Sequence, residues 1–111
     1  MNIKYTIWKI KSGKLEVWKA WCHELMTTRY EEALITISEE NLVHEKCVIF
    51  EKEGENYVIY THGTVEGKAK KKANMDHAVN KKHFKIMKEC LEYVYDTGWF
   101  APLNGYELER N

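Results

Sequence analysis

The sequence predicts a single α+β domain whose segments run strand, helix, strand, strand, helix, strand. Three observations predict this order. Alternating β-branched and aromatic residues indicate strands, apolar residues at three- and four-residue steps indicate helices, and short links with turn residues separate the segments. The chain has 111 residues and shows no internal repeat or linker, so we assign residues 1–111 to one domain.

The amino-acid composition indicates which classes of protein the sequence is compatible with. Hydrophobic residues make up 44% and charged residues 31%, a balance typical of soluble globular proteins. Seventeen basic side chains offset seventeen acidic ones, whereas nucleic-acid-binding domains are usually strongly basic. Apolar runs stay far below the ~20 residues of a membrane span, and the N-terminus lacks the apolar stretch of a signal peptide. The three widely spaced cysteines favour a reducing compartment. We therefore expect a cytoplasmic protein without a membrane partner, and nucleic-acid binding is disfavoured.

The first part of the chain predicts a strand followed by a long helix. Residues 3–10 alternate and are mostly β-branched or aromatic. Apolar residues across 15–37 form one helical stripe, and Thr27-Thr28 interrupts it, so we expect the helix to kink or restart there. Trp21 falls outside this stripe, and we expect it to face solvent or a partner.

The second part predicts a hairpin, a helix and a final strand. Residues 42–51 and 56–65 are two apolar runs, and the glycine-containing link 52–55 between them indicates a hairpin. A second helical stripe covers about 76–95. The short alternating run 106–109 predicts a last strand.

This order of elements is ferredoxin-like, βαββαβ, with two helices on one face of an antiparallel sheet. Both faces of the strands carry large apolar groups. In the first strand, alternation points Ile3, Tyr5 and Ile7 one way, and Trp8 and Ile10 the other. A second apolar face needs a second layer, and the simplest one is another copy of the same sheet. We therefore expect a homodimer that forms through the sheet face.

Three stretches carry a resemblance to a known superfamily: KIKSGKLEVWKAW, NLVHEKCVIFEKEGENYVIY and ANMDHAVNKKHFKIMKECLE. They resemble a small bacterial family of unknown function within the dimeric α+β barrel superfamily. That superfamily includes antibiotic-biosynthesis-type monooxygenases and rhamnose mutarotases. The resemblance implies a small-molecule cavity between helices and sheet. Trp18 and Cys22 stand where mutarotases place a proton-handling tyrosine and histidine, so mutarotase activity is not expected.

The hairpin predicts an arrangement of polar side chains. If the link 52–55 closes it, Glu45 faces His62 and Cys47 faces Tyr60, all on one side of the sheet. A carboxylate beside an imidazole makes an acid–base pair next to a phenol. The alternative is an ion pair without chemistry, and a slip of one residue would separate the two groups.

The candidate site residues follow from these placements. The candidate catalytic residues are His62, His83 and Glu45, and the candidate ligand-binding residues are Tyr60, Trp8 and Trp21. His83 lies on the apolar stripe of the second helix, where it either lines a pocket or is a satisfied core group. The cysteine and histidine spacings give no metal site, and no cofactor motif is present, so we expect neither.

These observations lead to one expected function and two alternatives. We expect a small aromatic or acidic metabolite to bind between sheet and helices. The accompanying reaction would be monooxygenase-like without a cofactor, or a proton transfer, with His62 or His83 as base. The alternatives are a non-catalytic dimeric assembly or regulatory module and, third, an RNA binder, since RNA-recognition domains share this element order. The lysine-rich segment 68–72 is either a solvated loop or the guard of an anion pocket.

Overall fold

The computed structural model describes residues 2–99 and 105–110, and these residues form four strands and three helices. In chain order the elements are β1 (Ile3–Ile10), α1 (Leu15–Met26), α2 (Tyr30–Glu39), β2 (Leu42–Lys52), β3 (Glu55–Thr64), α3 (Ala78–Cys90) and β4 (Leu91–Asp96). The strands make one antiparallel sheet in the order β2-β3-β1-β4. The predicted α+β class is confirmed.

The long first helix is divided at the predicted place. Helix α1 ends at Met26 and α2 begins at Tyr30. The Thr27 hydroxyl donates a hydrogen bond to the carbonyl oxygen of His23 at 2.7 Å, and the Arg29 guanidinium binds the Glu24 carboxylate at 2.8 Å. The Thr27 bond satisfies a carbonyl at the end of α1, and the Arg29–Glu24 ion pair connects α1 to the start of α2.

The predicted end of the last helix and the predicted position of the last strand are wrong. Helix α3 ends at Cys90 instead of continuing to residue 95, and β4 covers Leu91–Asp96. Residues 105–110 contain no strand, in contrast to the strand predicted at 106–109. The segment Leu-Glu-Tyr-Val-Tyr is rich in the branched and aromatic residues that strands favour. It pairs with the free edge of β1, where Trp8 lies opposite Tyr93.

The hydrophobic core lies between the helices and one face of the sheet. Trp18 is fully buried at 0% exposure, and it packs with Val58 and Tyr60 of the inner strand β3. Trp21 is 2% exposed, so the prediction that it faces solvent or a partner is wrong. It lies three residues after Trp18 and four before Leu25, and the apolar stripe of a core-facing helix is wide enough to include such a position.

The opposite face of the sheet has no helix over it in the part of the chain that the structure describes. Alternation along the strands places one set of side chains on the core side and the other set on this face. The cross-strand pairs Ile7–Ile59, Ile59–Val48 and Tyr57–Phe50 lie here, and the Phe50 and Tyr57 rings stack with centroids 5.4 Å apart. We call this surface the uncovered sheet face; its apolar members are Ile3, Tyr5, Ile7, Val48, Phe50, Tyr57, Ile59 and Tyr95.

The β2–β3 hairpin has the predicted register. Lys52 pairs with Glu55, and Glu45 pairs with His62 farther along the strands. The two turn residues, Glu53 and Gly54, have φ values of 53° and 80°. Two consecutive left-handed residues form the type I′ turn, whose twist matches that of the strands it joins.

We predict that the hairpin turn responds in opposite directions to two substitutions. Gly54→Ala lowers the free energy of unfolding by about 1 kcal/mol, because a Cβ disfavours the left-handed conformation. No atom lies within 4 Å of an added Cβ at this position, so the cost is conformational. Glu53→Asn raises the free energy by about 0.5 kcal/mol, since asparagine adopts this conformation more readily. Urea unfolding measures both changes.

Gly105→Ala is the matched control for the turn. It also meets no neighbouring atom, and its φ lies outside the left-handed region. Equal losses at positions 54 and 105 would contradict the assignment of the turn.

Candidate functional site

A cavity of about 330 Å³ lies between the sheet and the helices. All four strands and all three helices contribute to its lining. The sheet side includes Trp8, Tyr60 and His62, and the helix side includes Thr36, Val79 and His83. Apolar walls with a few polar groups are the usual composition of a small-ligand site.

One side of the cavity carries the predicted carboxylate–imidazole pair. Glu45 Oε1 lies 3.3 Å from Nε2 of His62, and the two side chains are 28% and 19% exposed. Burial opposes the ionised form of Glu45, but the hydrogen bond and charge of His62 outweigh it and hold the pKa of this carboxyl below its ordinary value. A carboxylate accepts hydrogen bonds, so the geometry places a hydrogen on Nε2 of His62, and in the neutral ring that leaves Nδ1 unprotonated. The lone pair then lies on Nδ1.

Tyr60 stands next to this pair, two residues before His62 on β3. Its side chain is 3% exposed, and its ring stacks on the His62 ring with centroids 5.3 Å apart and planes 12° from parallel. Burial raises the pKa of the Tyr60 phenol well above its ordinary value, with Glu45 adding to the effect. The phenol is therefore a protonated group at neutral pH, able to donate a hydrogen bond.

The indole of Trp21 orients the His83 ring through a hydrogen bond. Trp21 Nε1 donates a hydrogen bond to Nδ1 of His83 at 2.9 Å, and Nε2 of His83 lies 3.5 Å from the Tyr60 hydroxyl. Because an indole N–H only donates, Nδ1 must be the unprotonated nitrogen, and neutral His83 carries its hydrogen on Nε2. Burial lowers the pKa of His83, which favours this neutral form. The lone pair of His83 is engaged by Trp21, so the geometry favours His62 over His83 as a proton acceptor.

The structure brings together five of the six residues selected from the sequence. Trp8, Glu45, Tyr60, His62 and His83 line the cavity. The sixth residue, Trp21, contacts the site only through His83 and does not form part of the cavity wall. The width of the apolar stripe on α1 was the signal that would have placed it in the core.

Sequence reasoning missed the charged residues of the lining. Lys4 Nζ lies 3.8 Å from Asp96 Oδ2, and Lys70 Nζ lies 3.0 Å from Glu40 Oε1. Both pairs join segments far apart in the chain, and no local pattern predicts such contacts. Lys70 thus ties the lysine-rich segment 68–72 to the end of α2, and it is not a cation free to bind an anion.

A second cavity of about 330 Å³ adjoins the first and shares Tyr60 and Glu45 with it. Cys22 and Cys47 line it as free thiols. The hydrogen bond between the two thiols, together with burial, raises the pKa of Cys22 above its ordinary value. Within residues 2–99 and 105–110, no group of three His, Cys, Asp or Glu side chains is arranged so that it could hold a metal ion.

We predict that His83 makes stability depend on pH. Its pKa is lower in the folded protein than in the unfolded chain, where a histidine titrates near 6.5. The unfolded chain therefore binds more protons as pH falls through this region, and the free energy of unfolding decreases. The His83→Gln variant removes this titrating group and leaves the groups that face it, Glu45, His62 and Tyr60, unchanged. Its free energy of unfolding should therefore decrease less than that of the wild type between about pH 7.5 and 5.5.

Urea unfolding at several pH values measures this dependence. His23→Gln, on the exposed side of α1, is the control and should keep the dependence of the wild type. A His83→Gln protein with an unchanged dependence on pH would show that His83 titrates alike in the folded and unfolded states.

None of the helices among the described residues has the length and apolar character needed to cross a membrane.

The comparisons with known proteins give a family without an assigned activity. No curated protein and no solved structure matches the chain. Residues 1–103 match the family of unknown function DUF6176, and this match covers nearly all of the sequence. The chain belongs to the DUF6176 family.

Proposed function

We propose that this protein binds a small, largely apolar aromatic metabolite in the cavity between sheet and helices. The observation that carries the proposal is the cavity itself, whose volume of about 330 Å³ lies within the range of small-ligand sites. Its wall combines the apolar side chains of Trp8 and Val79 with the polar groups of Tyr60 and His62. The apolar surface would supply affinity, and the polar groups would fix the ligand's orientation.

The charges of the lining support the aromatic alternative over the acidic one. Three carboxylates and two lysines border the cavity, and each lysine lies beside a carboxylate: Lys4 beside Asp96, and Lys70 beside Glu40. A negatively charged ligand would meet the third carboxylate, that of Glu45, without an unpaired cation to offset it. An uncharged aromatic ligand avoids this cost.

The proposed molecule is a ferredoxin-like subunit of a homodimer of the dimeric α+β barrel type. The uncovered sheet face supports this proposal, because it presents adjacent apolar side chains from all four strands. Contiguous apolar patches of this kind usually mark an interaction surface. Pairing of the two sheets through a two-fold axis would leave both cavities on the outer, helical sides.

The alternatives receive less support. A non-catalytic assembly module would be expected to have a filled interior, whereas this interior has a cavity lined by imidazole and phenol groups. RNA binding needs exposed aromatic side chains on the sheet for base stacking. The uncovered sheet face does expose aromatic rings, Tyr5 and Tyr95 among them, but β3 lacks the basic-glycine-aromatic signature of RNA-recognition domains, and its Tyr57 already stacks on Phe50. The free thiols fit the proposed cytoplasmic location.

We predict that uncharged aromatic ketones and phenols stabilise the protein against heat more than aryl carboxylates of the same size. A ligand at 100 times its dissociation constant contributes about 2.7 kcal/mol to the free energy of unfolding. Ala33→Phe places a ring in the cavity wall and should abolish the shift in melting temperature. Differential scanning fluorimetry measures it.

Ala20→Phe is the matched control, since Ala20 is an exposed residue of α1 and not part of the lining. It should preserve the stabilisation by ligand. If no aromatic compound shifts the melting temperature, or if Ala33→Phe keeps the full shift, the cavity is not the binding site.

We predict that the protein is a dimer and that one charge on the uncovered sheet face makes it monomeric. Val48 lies on this face opposite Ile59 and is 41% exposed in the subunit, so Val48→Glu should leave the subunit folded while it disfavours sheet pairing. Val17, on α1, is 40% exposed, and Val17→Glu is therefore the matched control. Light scattering at micromolar concentration should give a dimer for the wild type and for the control. A monomeric wild type, or a dimeric Val48→Glu protein, would contradict the proposed interface.

A further inference from the structure

Two hydrogen bonds connect Trp21, His83 and Tyr60, and in both of them the donor lies on the side of Trp21. Trp21 donates to His83, whose remaining hydrogen lies on Nε2 and faces the Tyr60 oxygen. With His83 as donor, the Tyr60 oxygen accepts and keeps its own hydrogen available. No described residue accepts that hydrogen. Aligned hydrogen bonds polarise one another, so this hydroxyl is a stronger donor than it would be without the bond from His83.

His62 supplies the opposite function beside it. Its Nδ1 atom is buried and has no hydrogen-bond partner among the described residues. The other ring nitrogen faces Glu45, which favours the tautomer with the lone pair on Nδ1. A buried, unpaired acceptor is uncommon in proteins and is often associated with a functional role. Tyr60 and His62 therefore form a neighbouring donor and acceptor, with their rings stacked on one strand.

We propose that Tyr60 and His62 catalyse proton transfer on an uncharged aromatic carbonyl compound that has an acidic hydrogen on the carbon next to the carbonyl. This inference rests on the proposed function of the cavity and names its substrate class. The ligand accepts a hydrogen bond from Tyr60 at its carbonyl oxygen and presents the neighbouring C–H to His62.

The electrons and protons of the step balance within the substrate and the two side chains. His62 Nδ1 takes the proton, the C–H electron pair becomes the carbon–carbon double bond, and the carbonyl π pair moves onto oxygen. The enolate oxygen keeps the hydrogen bond from Tyr60. Return of the proton from His62 to the same carbon restores the substrate, whereas its delivery to the far carbon of an enolate conjugated with a second double bond completes an isomerisation without an oxidant or a cofactor.

The surroundings of the pair suit an enolate intermediate. Tyr60 and His83 are neutral donors in a mainly apolar cavity, where a fixed hydrogen bond stabilises developing negative charge more than water does. Neutral donors whose titration is shifted by burial are used in this way to polarise carbonyl groups. Glu45 stabilises the imidazolium that His62 becomes.

The test uses 4-nitrophenol, a planar aromatic compound whose phenolate resembles an enolate and is yellow. It is added to the protein at a pH where the free compound is mostly the colourless phenol. Binding should raise the phenolate absorbance, because His62 takes the proton and Tyr60 stabilises the oxyanion. Tyr60→Phe retains the ring and should weaken phenolate binding about tenfold through loss of one hydrogen bond. His62→Gln should bind the compound without colour.

The control is His23→Gln, which should retain the wild-type absorbance, and circular dichroism checks that each variant is folded. Two outcomes overturn the inference: a wild-type protein that produces no colour at saturating 4-nitrophenol, or a His62→Gln protein that produces as much colour as the wild type.

Stabilisation by aromatic ketones, measured by scanning fluorimetry, separates this inference from the proposed function. If ketones stabilise the protein while 4-nitrophenol stays colourless, the cavity binds aromatic ligands but does not transfer protons. If neither compound binds, both proposals fail.

Discussion

The register of β2 against β3 is the constraint on which the site depends. One strand contributes Tyr60 and His62, and the other contributes Glu45, so a shift of one residue would turn the carboxylate to the uncovered sheet face. The register is fixed at one end by the two-residue turn, whose left-handed backbone suits Gly54. The geometry of the acid–base pair is thus set by a turn at the far end of the hairpin.

The indole of Trp21 imposes a second constraint, on the direction of hydrogen bonding. An imidazole can donate or accept at either nitrogen, and this freedom would leave the roles of Tyr60 and His83 undetermined. An indole N–H donates a hydrogen bond and cannot accept one, so it fixes the tautomer of His83. This tautomer in turn sets the direction of the hydrogen bond between His83 and Tyr60. A residue outside the cavity wall therefore determines which groups inside it donate.

The fold and the site were predictable to different degrees, for physical reasons. Alternation and turn chemistry located β1 and the hairpin, because strand period and turn type are local properties. The boundary between α3 and β4 was misplaced, since the apolar residues around Cys90 satisfy a helical stripe and a strand equally well and only pairing with β1 decides between them. Trp21 was misplaced because the apolar stripe of a core-facing helix is wider than a single row of three- and four-residue steps. The ion pairs of Lys4 and Lys70 join distant segments, and nothing local in the sequence specifies them.

The position of the strands in the sheet gives the site unequal local stability. Strand β3 is hydrogen-bonded on both sides, whereas β2 lies at the edge of the sheet. Edge strands open more readily than central ones, and such openings are seen as faster amide hydrogen exchange. A brief opening of β2 would remove Glu45 from His62 while Tyr60, His83 and Trp21 stayed in place. Orientation of the base would then be lost and regained by local fluctuation, without unfolding of the domain.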